Sequence, residues 1–194
     1  MKTSSLKRKT NETDINCEIN CDGTGQYSID TGLGFLNHML ETLSKHSQID
    51  IKLNCKGDLN VDDHHSIEDC ALVFGKCFLE SLGDSINLLE RFADSTVALD
   101  ESLTRVVVDI SGRPYCNCNL HFNREKIGDL STEMISHFFI TFAMNAKITL
   151  HIDSIKGINN HHIAESAFKA FALCIKKAIK IKKNINSTKG NIDI

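Results

Sequence analysis

Six of the nine histidines in this 194-residue chain fall into two matching sets. The first set is His38, His64 and His65 with Glu68; the second is His137, His161 and His162 with Glu165. The lone histidine leads its pair by 26 residues in the first set and by 24 in the second. His64 and Glu68 are four residues apart, as are His161 and Glu165, so on a helix each pair shares one face. Adjacent helical residues point about 100° apart. The two members of a His-His pair therefore do not serve one ion, and two neighbouring ions or two sites follow. Six imidazoles and two carboxylates make eight ligands. Four protein ligands per ion leave open positions on an octahedral metal, and open positions mean substrate or water, hence chemistry. Imidazole and carboxylate donors without thiolate suit Mn, Fe, Zn, Co or Ni, and octahedral openness favours Mn(II). Helix-capping or core histidines are the plainer explanation for one such pair; two copies at matched spacing count against it.

The two sets are offset by 97 to 99 residues, half the chain, which marks an internal duplication. His64-His65-Ser66-Ile67-Glu68 aligns with His161-His162-Ile163-Ala164-Glu165, and Phe74 and Cys77 align with Phe171 and Cys174. The expected organisation is a single domain, 1–194, made of two pseudo-symmetric halves, approximately 1–93 and 94–194. His46 aligns with Asn145 and so lacks a repeat partner, which points to function rather than scaffold.

Positioning these side chains requires both helices and strands. Thr13 to Asn20 alternates with Ile15, Cys17 and Ile19 on one face and reads as a strand. Tyr27 to Asp30 and Ile49 to Leu53 read likewise, and helices are predicted over Phe35–His46 and His64–Leu82, with Asp62 and Asp63 as capping carboxylates. The second half repeats the scheme: strands at Thr104–Ser111, Tyr115–Phe122 and Ile148–Ile152, a helix over Met134–Met144, and another from His161 to about Lys183 capped by Asn159-Asn160. Met1 to Thr10 reads as a solvated basic leader and Asp84 to Asp94 as a loop. The pattern argues an α+β fold, internally duplicated, with mostly antiparallel sheets packed against helices.

Hydrophobic residues make up 41% and charged residues 24%, which excludes wholesale disorder. A net charge of -3 gives no broad basic field, so nucleic acid is not the expected partner. No apolar run reaches the roughly 18 residues of a membrane span, and the first ten residues lack the apolar stretch of a secretory signal. Eight cysteines without a CxxC pair, several at helical spacing on apolar faces, read as buried thiols in a reducing compartment, so the expected location is cytoplasmic.

Two arginines on turns, Arg91 and Arg113, have the planar donors to grip a phosphate, and Ser187-Thr188-Lys189 has hydroxyls and an ammonium suited to phosphate oxygens. Either group taken alone is a weak signal.

Taken together, the motifs resemble the imidazoleglycerol-phosphate dehydratase family, in its monofunctional form. The matching stretches run in order along the chain: Arg8 to Thr13, Gly34 to Leu40, Gly57 to Asp69, Leu99 to Glu101, Ser111 to Tyr115, His137 to Phe139, Asn160 to Ala172 and Ser187 to Gly190. The resemblance implies a duplicated fold of the ribosomal protein S5 domain 2-like type, each half a four-stranded sheet with two helices, and assembly into a 24-mer. It implies two Mn(II) ions per active site, between subunits, held by the eight ligands above. The implied reaction dehydrates D-erythro-imidazoleglycerol phosphate to imidazole acetol phosphate in L-histidine biosynthesis, with the substrate bound as imidazolate. It places Glu12 and His46 at the substrate, Glu12 as a proton-transfer group, Glu165 in a catalytic role, and Arg91, Arg113, Ser187, Thr188 and Lys189 toward the phosphate. His38, His64, Glu68 and His161 then face substrate as well as metal. Asn37, where the family usually carries Asp, is expected to weaken a hydrogen bond behind a ligand. Ser47 follows His46 where Gly is common, and Thr188 replaces a Ser.

A dinuclear metal hydrolase and a metal-binding scaffold without turnover are the competing classes. The substrate-side set Glu12, His46, Arg91, Arg113 and Lys189 favours the lyase over both.

Overall fold

The computed structural model describes residues 2–182. The first half contains β1 (Thr3–Lys9), β2 (Thr13–Asn20), β3 (Tyr27–Asp30), α1 (Gly34–Ser47), β4 (Asp50–Gly57) and α2 (His64–Leu82). After a 3-10 turn at Gly83–Leu88 the second half repeats the order with β5 (Phe92–Leu99), β6 (Ser102–Asp109), β7 (Tyr115–Asn119), a small hairpin of β8 (Lys126–Ile127) and β9 (Leu130–Ser131), α3 (Thr132–Ala146), β10 (Thr149–Lys156) and α4 (Asn160–Ala178).

Each half builds a four-stranded sheet, ordered β1-β2-β4-β3 and β5-β6-β10-β7. Within each, the first three strands pair antiparallel and the last pairs parallel. Period-2 patterning explains the central strands: Ile15, Cys17 and Ile19 of β2 and Ile51, Leu53 and Cys55 of β4 point inward and are buried. The helices pair across the halves, α1 with α4 and α2 with α3. Their shared core is aromatic, with Phe74, Phe78, Phe138, Phe139, Phe142, Phe168 and Phe171 almost fully buried. Tilted ring pairs such as Phe139–Phe168, 4.7 Å between centroids, tie the second half's helices together, and Phe74–Phe142 joins the halves at 5.2 Å. Gly75 lets α2 approach α3 closely: a Cβ there would lie 2.7 Å from the Phe142 carbonyl oxygen.

Four local expectations change. The leading segment is strand β1, whose side chains are only partly covered, with Leu6 its one apolar residue packed on the core. The stretch expected as a loop ends in edge strand β5, where Ser95 is the one fully buried residue. An edge strand buries little and so carries little hydrophobic pattern. Helix α4 stops at Ala178, short of Lys183, because the chain turns there to bridge Ile181 to Leu89. Asn37 accepts from the Thr31 backbone N–H and hydroxyl, at 2.9 and 2.6 Å, so it shapes the entry to α1 and does not stand behind His38. An amide oxygen serves that purpose as a carboxylate would. All eight cysteines are free, six of them buried. Among the described residues no helix is long and apolar enough to cross a membrane.

Candidate metal centre

His38 lies in the first turns of α1, His64 and Glu68 open α2, His137 sits in α3, and His161 and Glu165 open α4. The cross-paired helices bring these six together in a way that the repeat does not announce. His38 joins His161 and Glu165; His64 and Glu68 join His137. Each cluster therefore takes its lone histidine from one half and its His–Glu pair from the other.

Within each cluster the three donor atoms lie within 4.8 Å of one another. Glu165 Oε2 is 3.0 Å from His161 Nε2 and 3.5 Å from His38 Nε2. Glu68 places Oε1 3.1 Å from His137 Nε2 and Oε2 3.7 Å from His64 Nε2. Two ligands about 2.1 Å from one ion and at right angles to each other sit about 3 Å apart. The spacing and the donor chemistry both fit a divalent cation.

Local contacts explain why the helix starts stay in place. Asn159 caps α4 by accepting from the His161 N–H at 2.9 Å. Asp62, not Asp63, accepts from the His64 N–H. Asp63 instead accepts from the Ser131 N–H and hydroxyl, at 2.6 and 3.0 Å. Asp129, in the turn of the same hairpin, accepts from the Phe35 N–H at 3.0 Å at the start of α1. One hairpin of the second half thus fixes the helix entries that carry His38 and His64.

His65 and His162 belong to neither cluster. His65 Nδ1 lies 3.0 Å from an Asp58 oxygen, and His162 Nδ1 lies 2.8 Å from Glu101 Oε2. The hydrogen bond to Asp58 pushes the His65 pKa up, and Glu101 does the same for His162. His162 in turn holds Glu101 well below the usual carboxylate range. A carboxylate on Nδ1 fixes the tautomer and leaves Nε2 as a ligand atom, the arrangement common behind metal-bound histidines. His65 Nε2 comes 3.8 Å from Glu12 Oε1, in the exposed turn between β1 and β2. Thr13, the first residue of β2 after that turn, donates to Asp69, beside Glu68 in sequence, at 2.5 Å.

His46 is exposed near the end of α1. Burial of its ring and the Lys169 ammonium lower its pKa, against the pull of Glu165. Arg91 holds Asp109 with two nitrogens, at 2.6 and 3.1 Å, and is 12% exposed. Arg113 is 69% exposed and reaches the same Asp109 at 3.6 Å. The structure brings the two arginines together but not to the histidines. The Arg91 N–H donates to the carbonyl of Ala178, which lies 13 residues beyond Glu165 on α4, or about 20 Å along the helix axis. Ser187, Thr188 and Lys189 lie outside the described residues.

Sequence reasoning missed Asp58, Glu101 and Lys169. Glu101 and Glu12 occupy corresponding turns, between the first two strands of each sheet, and that equivalence was a readable signal once the strands were known. Lys169 was visible four residues beyond Glu165 on the same helical face.

A duplicated α+β fold holding two imidazole–carboxylate clusters across its halves defines a class of metal-dependent enzyme. A family model for imidazoleglycerol-phosphate dehydratase matches residues 31–175. Imidazoleglycerol-phosphate dehydratase of Zymomonas mobilis is 47% identical over 97% of this chain and 98% of that protein. The protein of that name from Phaffia rhodozyma is 51% identical over 98% and 96%. The crystal structure of the Staphylococcus aureus enzyme superposes with a TM-score of 0.84 at 38% identity, covering 93% of this chain and 99% of that one. The chain belongs to the imidazoleglycerol-phosphate dehydratase family, whose members are hydro-lyases.

Proposed function

We propose that this chain, folded as one domain of two pseudo-symmetric halves, dehydrates D-erythro-imidazoleglycerol phosphate to imidazole acetol phosphate in cytoplasmic L-histidine biosynthesis. Its active sites form between copies in a 24-mer and take two Mn(II) ions each. The observation that carries this reading is the pair of three-donor clusters at ion-ligand spacing. His38, His161 and Glu165 would hold one ion and His64, Glu68 and His137 the other. His65 and His162, each with Nδ1 occupied by a carboxylate, would give the fourth ligand to an ion of a neighbouring copy.

Bound ions supply positive charge that favours the imidazolate form of the substrate ring and eases loss of the hydroxyl beside it. In the net reaction the C–O bond next to the ring breaks and the oxygen leaves as water. The neighbouring carbon gives up its proton, and the enol tautomerises to the ketone. Glu12 is assigned the carbon-bound proton, and His46, whose pKa is lowered by burial and by Lys169, is a second group able to accept one. Arg91, Arg113, Ser187, Thr188 and Lys189 are assigned to the phosphate.

The arginine pair favours a site shared between copies. A three-carbon chain joining an imidazole to a phosphate is far too short to reach along α4 from Glu165 to the Arg91 backbone. Arginines from one copy and clusters from another resolve the mismatch. Arg113→Ala is expected to raise KM by roughly 10- to 30-fold, a loss of about 2 kcal/mol, with metal content unchanged. Mixing dissociated Arg113→Ala and Glu165→Gln proteins and reassembling them tests the sharing. Sites drawing one intact contribution from each copy should recover about one quarter of wild-type activity if combination is random. Activity equal to the average of the two parents would reject it.

A further inference from the structure

The duplication is broken beside one cluster. Position 169 is Lys where its repeat partner, position 72, is Leu. Lys169 Nζ lies 2.8 Å from Glu165 Oε1, with both side chains largely covered, at 21% and 15% exposure. Only Oε2 of Glu165 is left to face His161 and His38. Glu68 is different. Its side chain is 41% exposed, and its two oxygens face His137 and His64. Leu72 packs against the core, and among the described residues no lysine or arginine lies in ion-pair contact with Glu68.

We propose that Lys169 makes the two metal sites unequal, so that the His64–Glu68–His137 cluster fills first and the His38–His161–Glu165 cluster fills second and more weakly. This rests on the metal-binding reading above. With neutral imidazoles the Glu68 cluster presents one net negative charge to an incoming cation. The Glu165 cluster together with Lys169 presents none. A fixed ammonium beside a shielded carboxylate also repels a divalent ion more than it would in open water.

The experiment is a titration of metal-depleted, full-length protein with Mn(II) alone, counting free ion by its electron paramagnetic resonance signal. Two classes are expected, one Mn(II) per chain in each, with affinities at least tenfold apart. Glu68→Gln should weaken the tight class and Glu165→Gln the weak one. Lys169→Leu restores the repeat and should bring the classes within about threefold, while Lys169→Arg keeps the charge and the gap. Leu72→Lys should lower the tight class. A single class in the wild-type protein, or a gap unchanged in Lys169→Leu, overturns the inference and leaves the two-cluster reading standing. Uptake of fewer than two Mn(II) per chain at saturation overturns that reading and this inference with it.

Discussion

Glu165→Gln and Glu68→Gln are expected to fold, to hold less than the full complement of metal, and to lose at least about 100-fold in turnover. Each carboxylate is the member of its cluster that touches both histidines, one of them from the other half of the chain. Glutamine keeps the volume and one acceptor oxygen but removes the charge that balances a divalent ion. It also puts an amide donor where one carboxylate oxygen faced the imidazole nitrogens. The helices themselves should survive, because their inward faces are apolar and aromatic and neither carboxylate is part of that core. Metal analysis beside steady-state rates checks both variants. Full occupancy with near-normal turnover in either one would break the assignment of that carboxylate as a ligand.

Removal of metal is expected to take the assembly apart. His65 and His162 have their Nδ1 atoms committed to Asp58 and Glu101 within their own chain, belong to neither cluster, and bring their Nε2 atoms no nearer than 3.8 Å to Glu12 and Asp100. If those atoms complete sites on neighbouring copies, each ion is a cross-link between chains, and its loss severs two partners at once. Chelator-treated protein should sediment as smaller species and recover its large form on adding Mn(II). His162→Ala should weaken reassembly while preserving the fold of the single chain, since the ring is only partly covered and the carboxylates it meets, Asp100 and Glu101, lie on an exposed turn. A large species that persists after complete metal removal would contradict this.

Much of the architecture could be read from the residues. The spans expected for β2, β3 and α2 coincide with the structure, because alternation in Thr13–Asn20 and helical periodicity from His64 onward are strong and local. Strands β1 and β5 escaped notice because each is an edge strand with almost no fully buried apolar face. The eight candidate ligands were nameable from type and spacing. Their partition was not. That His38 meets Glu165 rather than Glu68 depends on α1 packing against α4 and α2 against α3, and periodicity along one chain carries no information about which helix faces which. The same limit hid Asp58 and Glu101, whose work is to hold a ring contributed by another element. It also hid the offset of about 20 Å along α4 between Glu165 and the Arg91 backbone, which appears only when β5, β6 and α4 are laid side by side.

Anomalous scattering from a crystal of the Mn(II)-loaded protein tests the account most directly. The account predicts two manganese peaks per chain, one among His38, His161 and Glu165 and the other among His64, Glu68 and His137, each completed by His65 or His162 of a neighbouring copy. A peak coordinated by His38 together with His64 or His65 and Glu68, or one with all its protein ligands from a single chain, would contradict it.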